Sequence, residues 1–83
     1  MDAINRHKQA KAEHPNDVCL ILTRDFYETF GSDAEIVAAV VGLTLTTMSK
    51  QRRDTVPMVG FPAYMLNDCV RKLEQAGHAV FVS

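Results

Sequence analysis

An excess of basic charge is what this chain most clearly lacks: nine Lys and Arg stand against ten Asp and Glu, a formal net charge of −1. A free-standing, high-affinity nucleic-acid binder needs that excess to neutralise phosphates and release counterions, so any affinity of this chain for DNA is expected to be weak. No run of 18 apolar residues occurs, which leaves nothing to span a membrane as a helix. Residues 1–14 are polar and of mixed charge, without the apolar centre of a secretory signal. Only two cysteines are present, Cys19 and Cys69, far apart and each inside an apolar periodic segment. They read as buried thiols rather than a disulfide, and a cytoplasmic location is the expectation. The four glycines compose no G-x-x-x-x-G-K-[ST], which excludes a phosphate loop of that type within these residues.

What is present suits one small domain over residues 1–83, with residues 1–7 free to fray. Hydrophobic residues make up 47%, enough for a core, although 83 residues bury only about 60–65% of the unfolded surface. Residues 2–14 are rich in helix formers and close at Pro15. Their few apolar positions imply a mostly exposed helix. Residues 18–23, Val-Cys-Leu-Ile-Leu-Thr, form a short continuous apolar run, the pattern of a strand covered on both faces. Residues 23–25 can turn the chain, and 26–30 return as a second strand, although the turn has no Asn-Gly or Asp-Gly. Ser32 with Glu35 gives the capping pattern S-x-x-E, followed by Ile36, Val37, Val40 and Val41 at helical spacing and by Gly42 as a stop. Residues 43–46 alternate as a third strand, 48–55 read as a polar loop, and 56–61 as a fourth strand with Pro57 at its start or at a sheet edge. A helix from Pro62 carries Leu66, Cys69, Val70, Leu73 and Ala76 as its apolar stripe and ends at Gly77, before a last strand at 79–82. The order α-β-β-α-β-β-α-β predicts an α+β fold: a mixed sheet of about five strands with helices packed on it.

Within this plan, Asp25-Phe26-Tyr27-Glu28 carries the most information. On a strand, Phe26, Glu28 and Phe30 point one way and Tyr27 and Thr29 the other. A large aromatic and a carboxylate then share a surface. A buried face would exclude the acid, and a solvated face has little use for a bare phenyl ring. The pair suits a surface that inserts an apolar wedge and offers a hydrogen-bond acceptor beside it. Taken alone, the tetrapeptide reads first as an ordinary aromatic-rich strand with one exposed Glu, and only the sequence on either side favours the wedge.

The neighbouring motifs add to that reading. The chain resembles the N-terminal mismatch-recognition domain, domain I, of the MutS family of DNA mismatch repair proteins. Lys11-Ala12-Glu13-His14-Pro15 is similar to the family's helix end before the first strand. Residues 25–34 match D-F-Y-E-x-F-x-x-D-A, and Leu43-Thr44-Leu45-Thr46 matches I/L-x-L-T. Residues 57–62 are similar to P-M-A-G-x-P, and Lys72 to Gly77 to the helix end K-L-x-x-x-G. These pieces occur in order over roughly residues 8–82. The resemblance implies that Phe26 enters the minor groove and stacks on a mispaired or unpaired base while Glu28 hydrogen-bonds that base. Such a wedge unstacks a base step and kinks the duplex, at a cost of about a few kcal/mol that falls where pairing is already faulty. A carboxylate facing phosphates is repelled unless a disrupted base offers it a donor.

Two departures from the family pattern stand out. Thr23-Arg24-Asp25 replaces the family's M-G-D turn, so Arg24 stands at a glycine position and the turn is expected to adopt different backbone angles. The connector, core, clamp and ATPase domains of the family are not encoded in these residues, so no ATPase or other catalysis is expected of them. Arg24, Lys50, Arg52, Arg53 and Met58 are further candidates for backbone or groove contacts, and the resemblance implies that Gly60, like Met58, lies next to the wedge along the groove; the other reading is a solvated loop for 50–53 and a core position for Met58. His7, His14 and His78 share no metal-ligand spacing with the cysteines, and neither a metal nor a cofactor is implied. The expected partners are double-stranded DNA with mismatches and larger multidomain or repair proteins, with no membrane. The alternative is a protein-interaction or structural module that keeps the domain I fold and has lost DNA reading.

Overall fold

The computed structural model describes residues 2–49 and 55–83. Five strands, β1 (Val18–Thr23), β2 (Phe26–Phe30), β3 (Thr46–Ser49), β4 (Thr55–Pro62) and β5 (Val80–Val82), form one mixed sheet in the order β3-β4-β2-β1-β5. β5 runs parallel to β1; the other neighbours are antiparallel. The helices are α1 (Ala3–Glu13), α2 (Gly31–Val37) and α3 (Leu66–Gln75). A π-helical turn, Ala38–Gly42, prolongs α2, and a 3-10 turn, Ala63–Met65, leads into α3. The α+β class and the predicted order of elements are both present.

The apolar run of β1 explains why helices lie on both sides of the sheet. Val18, Cys19, Leu20 and Ile21 are all buried, which requires cover on each face. Val18 and Leu20 join Tyr27, Val59 and Phe61 under Ala34 and Val37 of α2 and Cys69 and Leu73 of α3. Cys19 and Ile21, of opposite parity, pack with Ala10 of α1, flanked by Ala3 and Phe81. Burial of side chains the size of Leu20 or Phe61 stabilises the fold by about 1.5–3 kcal/mol each.

Helix ends follow their local chemistry. Asp2 caps α1 by accepting from the Asn5 amide at 2.9 Å. α3 closes with paired bonds from the Gly77 amide to the Glu74 carbonyl and from the His78 amide to the Leu73 carbonyl, with Gly77 at φ +93°.

Several expectations are corrected. α1 is less exposed than its composition suggests, since Ile4, His7 and Ala10 are buried. α2 starts at Gly31 with Phe30 as its cap and no side-chain bond from that cap, so Ser32 does not open the helix. The third strand is Thr46–Ser49, not 43–46: Leu43 still packs against the core under α2 and α3, so the chain is crossing from the helix layer to the sheet edge there. Ser49 and Thr55 pair across the β3–β4 hairpin, which shortens the expected loop. Pro62 ends β4 instead of starting a helix, and Ala76 is exposed. Pro57 lies one residue beyond the last β2 partner of β4, Met58, where β4 has a paired neighbour on one side.

One buried charge joins three elements. The Asp33 carboxylate, on α2, accepts from the Cys19 amide at 3.1 Å and from Lys11 Nζ at 3.1 Å, and lies 3.0 Å from His7 Nε2. The β1–β2 register runs from Thr23↔Phe26 to Ile21↔Glu28. Beyond it, the Cys19 amide turns to Asp33, and the Thr29 hydroxyl sits 3.4 Å from His7 Nε2. Side chains thus replace the ladder where it stops. Burial by itself would raise the Asp33 carboxyl. Hydrogen bonds from His7, the Cys19 amide and Lys11, together with the Lys11 charge, outweigh burial and hold it below the usual carboxylate value.

Replacing Asp33 with Asn leaves the contacts of α1 incomplete and is expected to lower stability by about 2–4 kcal/mol in urea denaturation at pH 7. Because the folded carboxyl titrates below its unfolded value of 3.8, its contribution is fully present above that value and is lost as pH falls through the folded one. Wild type should therefore lose stability below about pH 4 more steeply than Asp33→Asn; parallel acid profiles would refute the role. Burial also pushes both thiols up, Cys19 against the opposing Lys11 charge and Cys69 with help from Asp68. Neither thiol is in a disulfide. Both are expected to react with a disulfide reagent at neutral pH only as fast as the chain opens, and immediate labelling in native buffer would contradict this.

Candidate nucleic-acid interface

β2 sets the geometry of the candidate surface. Antiparallel partners directly opposite one another share a face. Phe26 pairs with Pro62, Glu28 with Gly60 and Phe30 with Met58, and Met58 in turn with Thr46. This is the face on which Cys19 and Ile21 meet α1. α1 lies over the β1–β5 half, pinned by Arg6, which donates to the Leu22 carbonyl at 2.8 Å and the Ser83 hydroxyl at 3.0 Å. It reaches β2 at the Thr29–Phe30 end, where the Thr29 hydroxyl lies 3.4 Å from His7 Nε2 and the His7 ring stands edge-on to Phe30 at 5.5 Å.

The expected row of Phe26, Glu28 and Phe30 is therefore divided. Phe30 is 2% exposed and belongs to the interior, whereas Phe26 is 48% exposed. Glu28 and Met58 are half-buried, and Gly60 and Thr46 are exposed. Tyr27, of opposite parity, stacks on Phe61 at 5.8 Å, while the Phe26 ring has no ring partner among the described residues. Also among the described residues, the Glu28 carboxylate takes no hydrogen bond or ion pair. An open aromatic ring and an uncommitted acceptor thus stand two residues apart on a paired, rigid strand.

The hairpin that presents them is tighter than the sequence suggested. Thr23 pairs with Phe26, leaving Arg24 and Asp25 as a two-residue loop. Arg24 has φ +53°, so arginine occupies the left-handed region where glycine is favoured. The Asp25 carbonyl accepts from the Ala63 amide at 2.7 Å, tying the loop to the turn after β4. Such a bond holds the hairpin in place while arginine bears the strain. Arg24 is exposed beside Phe26. Lys50, Arg52 and Arg53 lie outside the described residues. Tyr64, two residues past the partner of Phe26, is 86% exposed and was not singled out from the sequence; an aromatic between Pro62 and an amphipathic helix was the available signal.

Among the described residues no group of three His, Cys, Asp or Glu could hold a metal ion, and no helix is long and apolar enough to cross a membrane. Fold and surface together define a small α+β module with one half of one sheet face left open.

Comparison with known proteins places that module. The family model for MutS domain I matches residues 2–83. The chain is 43% identical to the DNA mismatch repair protein MutS of Bacteroides fragilis over 72 residues, which is 87% of this chain and 8% of that protein. Against the proteins of the same name from Salinibacter ruber and Fusobacterium nucleatum it is 35% and 32% identical over 79 residues, 95% of this chain and 9% of each relative. The chain belongs to the MutS domain I family. It spans less than a tenth of the length of these relatives.

Relieving the positive φ tests the description of the turn. Arg24→Gly removes a left-handed arginine, worth about 1–2 kcal/mol, and adds unfolded-state entropy of about 0.4–1 kcal/mol. The variant should be more stable by about 0.5–1 kcal/mol in chemical denaturation. A less stable variant would show that the turn does not hold this conformation.

Proposed function

We propose that this chain reads mispaired or unpaired bases in duplex DNA, with Phe26 as the wedge and Glu28 as the acceptor that engages the disrupted base. The observation carrying this reading is the half-exposed Phe26 beside an uncommitted Glu28 on the open part of a sheet face, in a chain of the MutS domain I family. An exposed phenyl ring on a rigid strand loses little entropy on insertion, and stacking on a base is worth about 1–3 kcal/mol. Insertion costs least where pairing is already broken, so selectivity arises from deformability. Glu28 adds discrimination, because an intact duplex offers it phosphates and no free donor.

Charge limits the affinity. With a net charge of −1, contacts to phosphate from Arg24 and from Lys50, Arg52 and Arg53 supply a weak, salt-sensitive attraction. The module is then one reading head of a longer repair protein, and ATP hydrolysis and the remaining steps belong to other parts of that protein. It needs no cofactor and acts in the cytoplasm. The acidic balance also favours a second reading, a protein-interaction module that has kept the fold alone.

Phe26→Ala decides between them. In low-salt titrations against a duplex with one unpaired thymine and its fully paired counterpart, wild type should prefer the faulty duplex. The variant should lose about tenfold or more in affinity for it, while changing folding stability by less than about 1 kcal/mol. Equal affinities of wild type and variant would remove the wedge, and absence of any chemical-shift change at 24–30 on adding DNA would favour the second reading.

A further inference from the structure

Gly60 lies in the interior of β4, directly opposite Glu28 and exposed to solvent. Glycine in a strand weakens the sheet relative to almost any other residue, so its presence calls for a reason. Three folding reasons are available, and the structure removes each. Its φ lies outside the left-handed region, unlike Gly31, Gly42 and Gly77. The β2–β4 register runs unbroken from Phe26↔Pro62 to Phe30↔Met58, so Gly60 is not at a bulge. A Cβ built at this position meets the Tyr27 carbonyl oxygen at 3.7 Å and Glu28 Cγ at 3.8 Å, ordinary contact distances. The fold would accept a side chain here.

We propose that Gly60 is a clearance position: its bare backbone lets the sugar edge of one DNA strand lie against β4 beside Glu28, and so sets how deeply the Phe26 ring enters the duplex. This rests on the mismatch-reading role given above. A side chain at 60 would project from the open face between the approaching strand and the Glu28 carboxylate, since opposed residues share a face. Methyl or isopropyl groups there hold the groove off the sheet and draw the ring out of the base step. Gly60 touches no reacting group; it is a positioning residue for Phe26 and Glu28.

The inference makes stability and binding move in opposite directions. Gly60→Ala and Gly60→Val, made in the full 83-residue chain, should melt at the wild-type temperature or about 2–6 °C above it. Affinity for a duplex with one unpaired thymine should fall about tenfold for alanine and further for valine, while the weak affinity for the fully paired duplex stays within about twofold. A lowered melting temperature would reveal a folding reason for glycine and overturn the proposal, as would stable variants that keep full preference for the faulty duplex. Should wild type itself show no preference, the reading role and this clearance role fall together. Preference that depends on Phe26 but not on residue 60 removes the clearance role alone.

Discussion

A carboxylate almost sealed from water decides where the first helix of this domain lies. Asp33 is 3% exposed and ionised, a condition that stands only because the Cys19 amide, Lys11 and His7 all reach it. These partners come from α1 and β1, while the acid itself comes from α2. The contact therefore fixes α1 against the β1–β5 half of the sheet, and Arg6 anchors the same helix to the end of β1. If α1 lay one strand further over, it would cover Glu28 and Phe26. The open face thus depends on a buried ion-pair network to which neither Phe26 nor Glu28 contributes.

That arrangement separates the work of stability from the work of recognition. Tyr27 and Phe61 stack in the interior, and Phe30 closes against His7, so β2 is held on both sides of its exposed residues. Phe26 and Glu28 can then stay uncommitted without loosening the strand. The same economy appears at the hairpin, where Arg24 keeps a left-handed conformation that a glycine would adopt without strain, held by the bond from Ala63 to the Asp25 carbonyl. Gly60 is the reverse case, a glycine at a position where the backbone does not ask for one.

Much of this was legible beforehand. Periodicity placed β1, β2 and α3, and Gly42 and Gly77 both end helices at positive φ as expected of them. The strand alternation also put Phe26 and Glu28 on one surface. What local patterns misjudged were positions where a distant partner decides. Leu43-Thr44-Leu45 alternates like a strand, yet Leu43 is held by the core under α2 and α3, and pairing waits until Thr46 meets Met58. Ala76 completes a helical stripe in the sequence but has nothing opposite it. Phe30 shares parity with Phe26, and only the His7 ring shows that it belongs to the interior.

By itself, then, the sequence determined the kind and order of the elements and which side chains of β2 share a face, because periodicity, glycine and capping residues act within a few residues of chain. Tertiary structure alone decided which half of that face is covered. Nothing local couples Asp33 to Lys11, 22 residues away, or Arg6 to Ser83, 77 residues away. Coverage of a sheet is a property of contacts between distant segments, and whether Phe26 is core or surface is settled there.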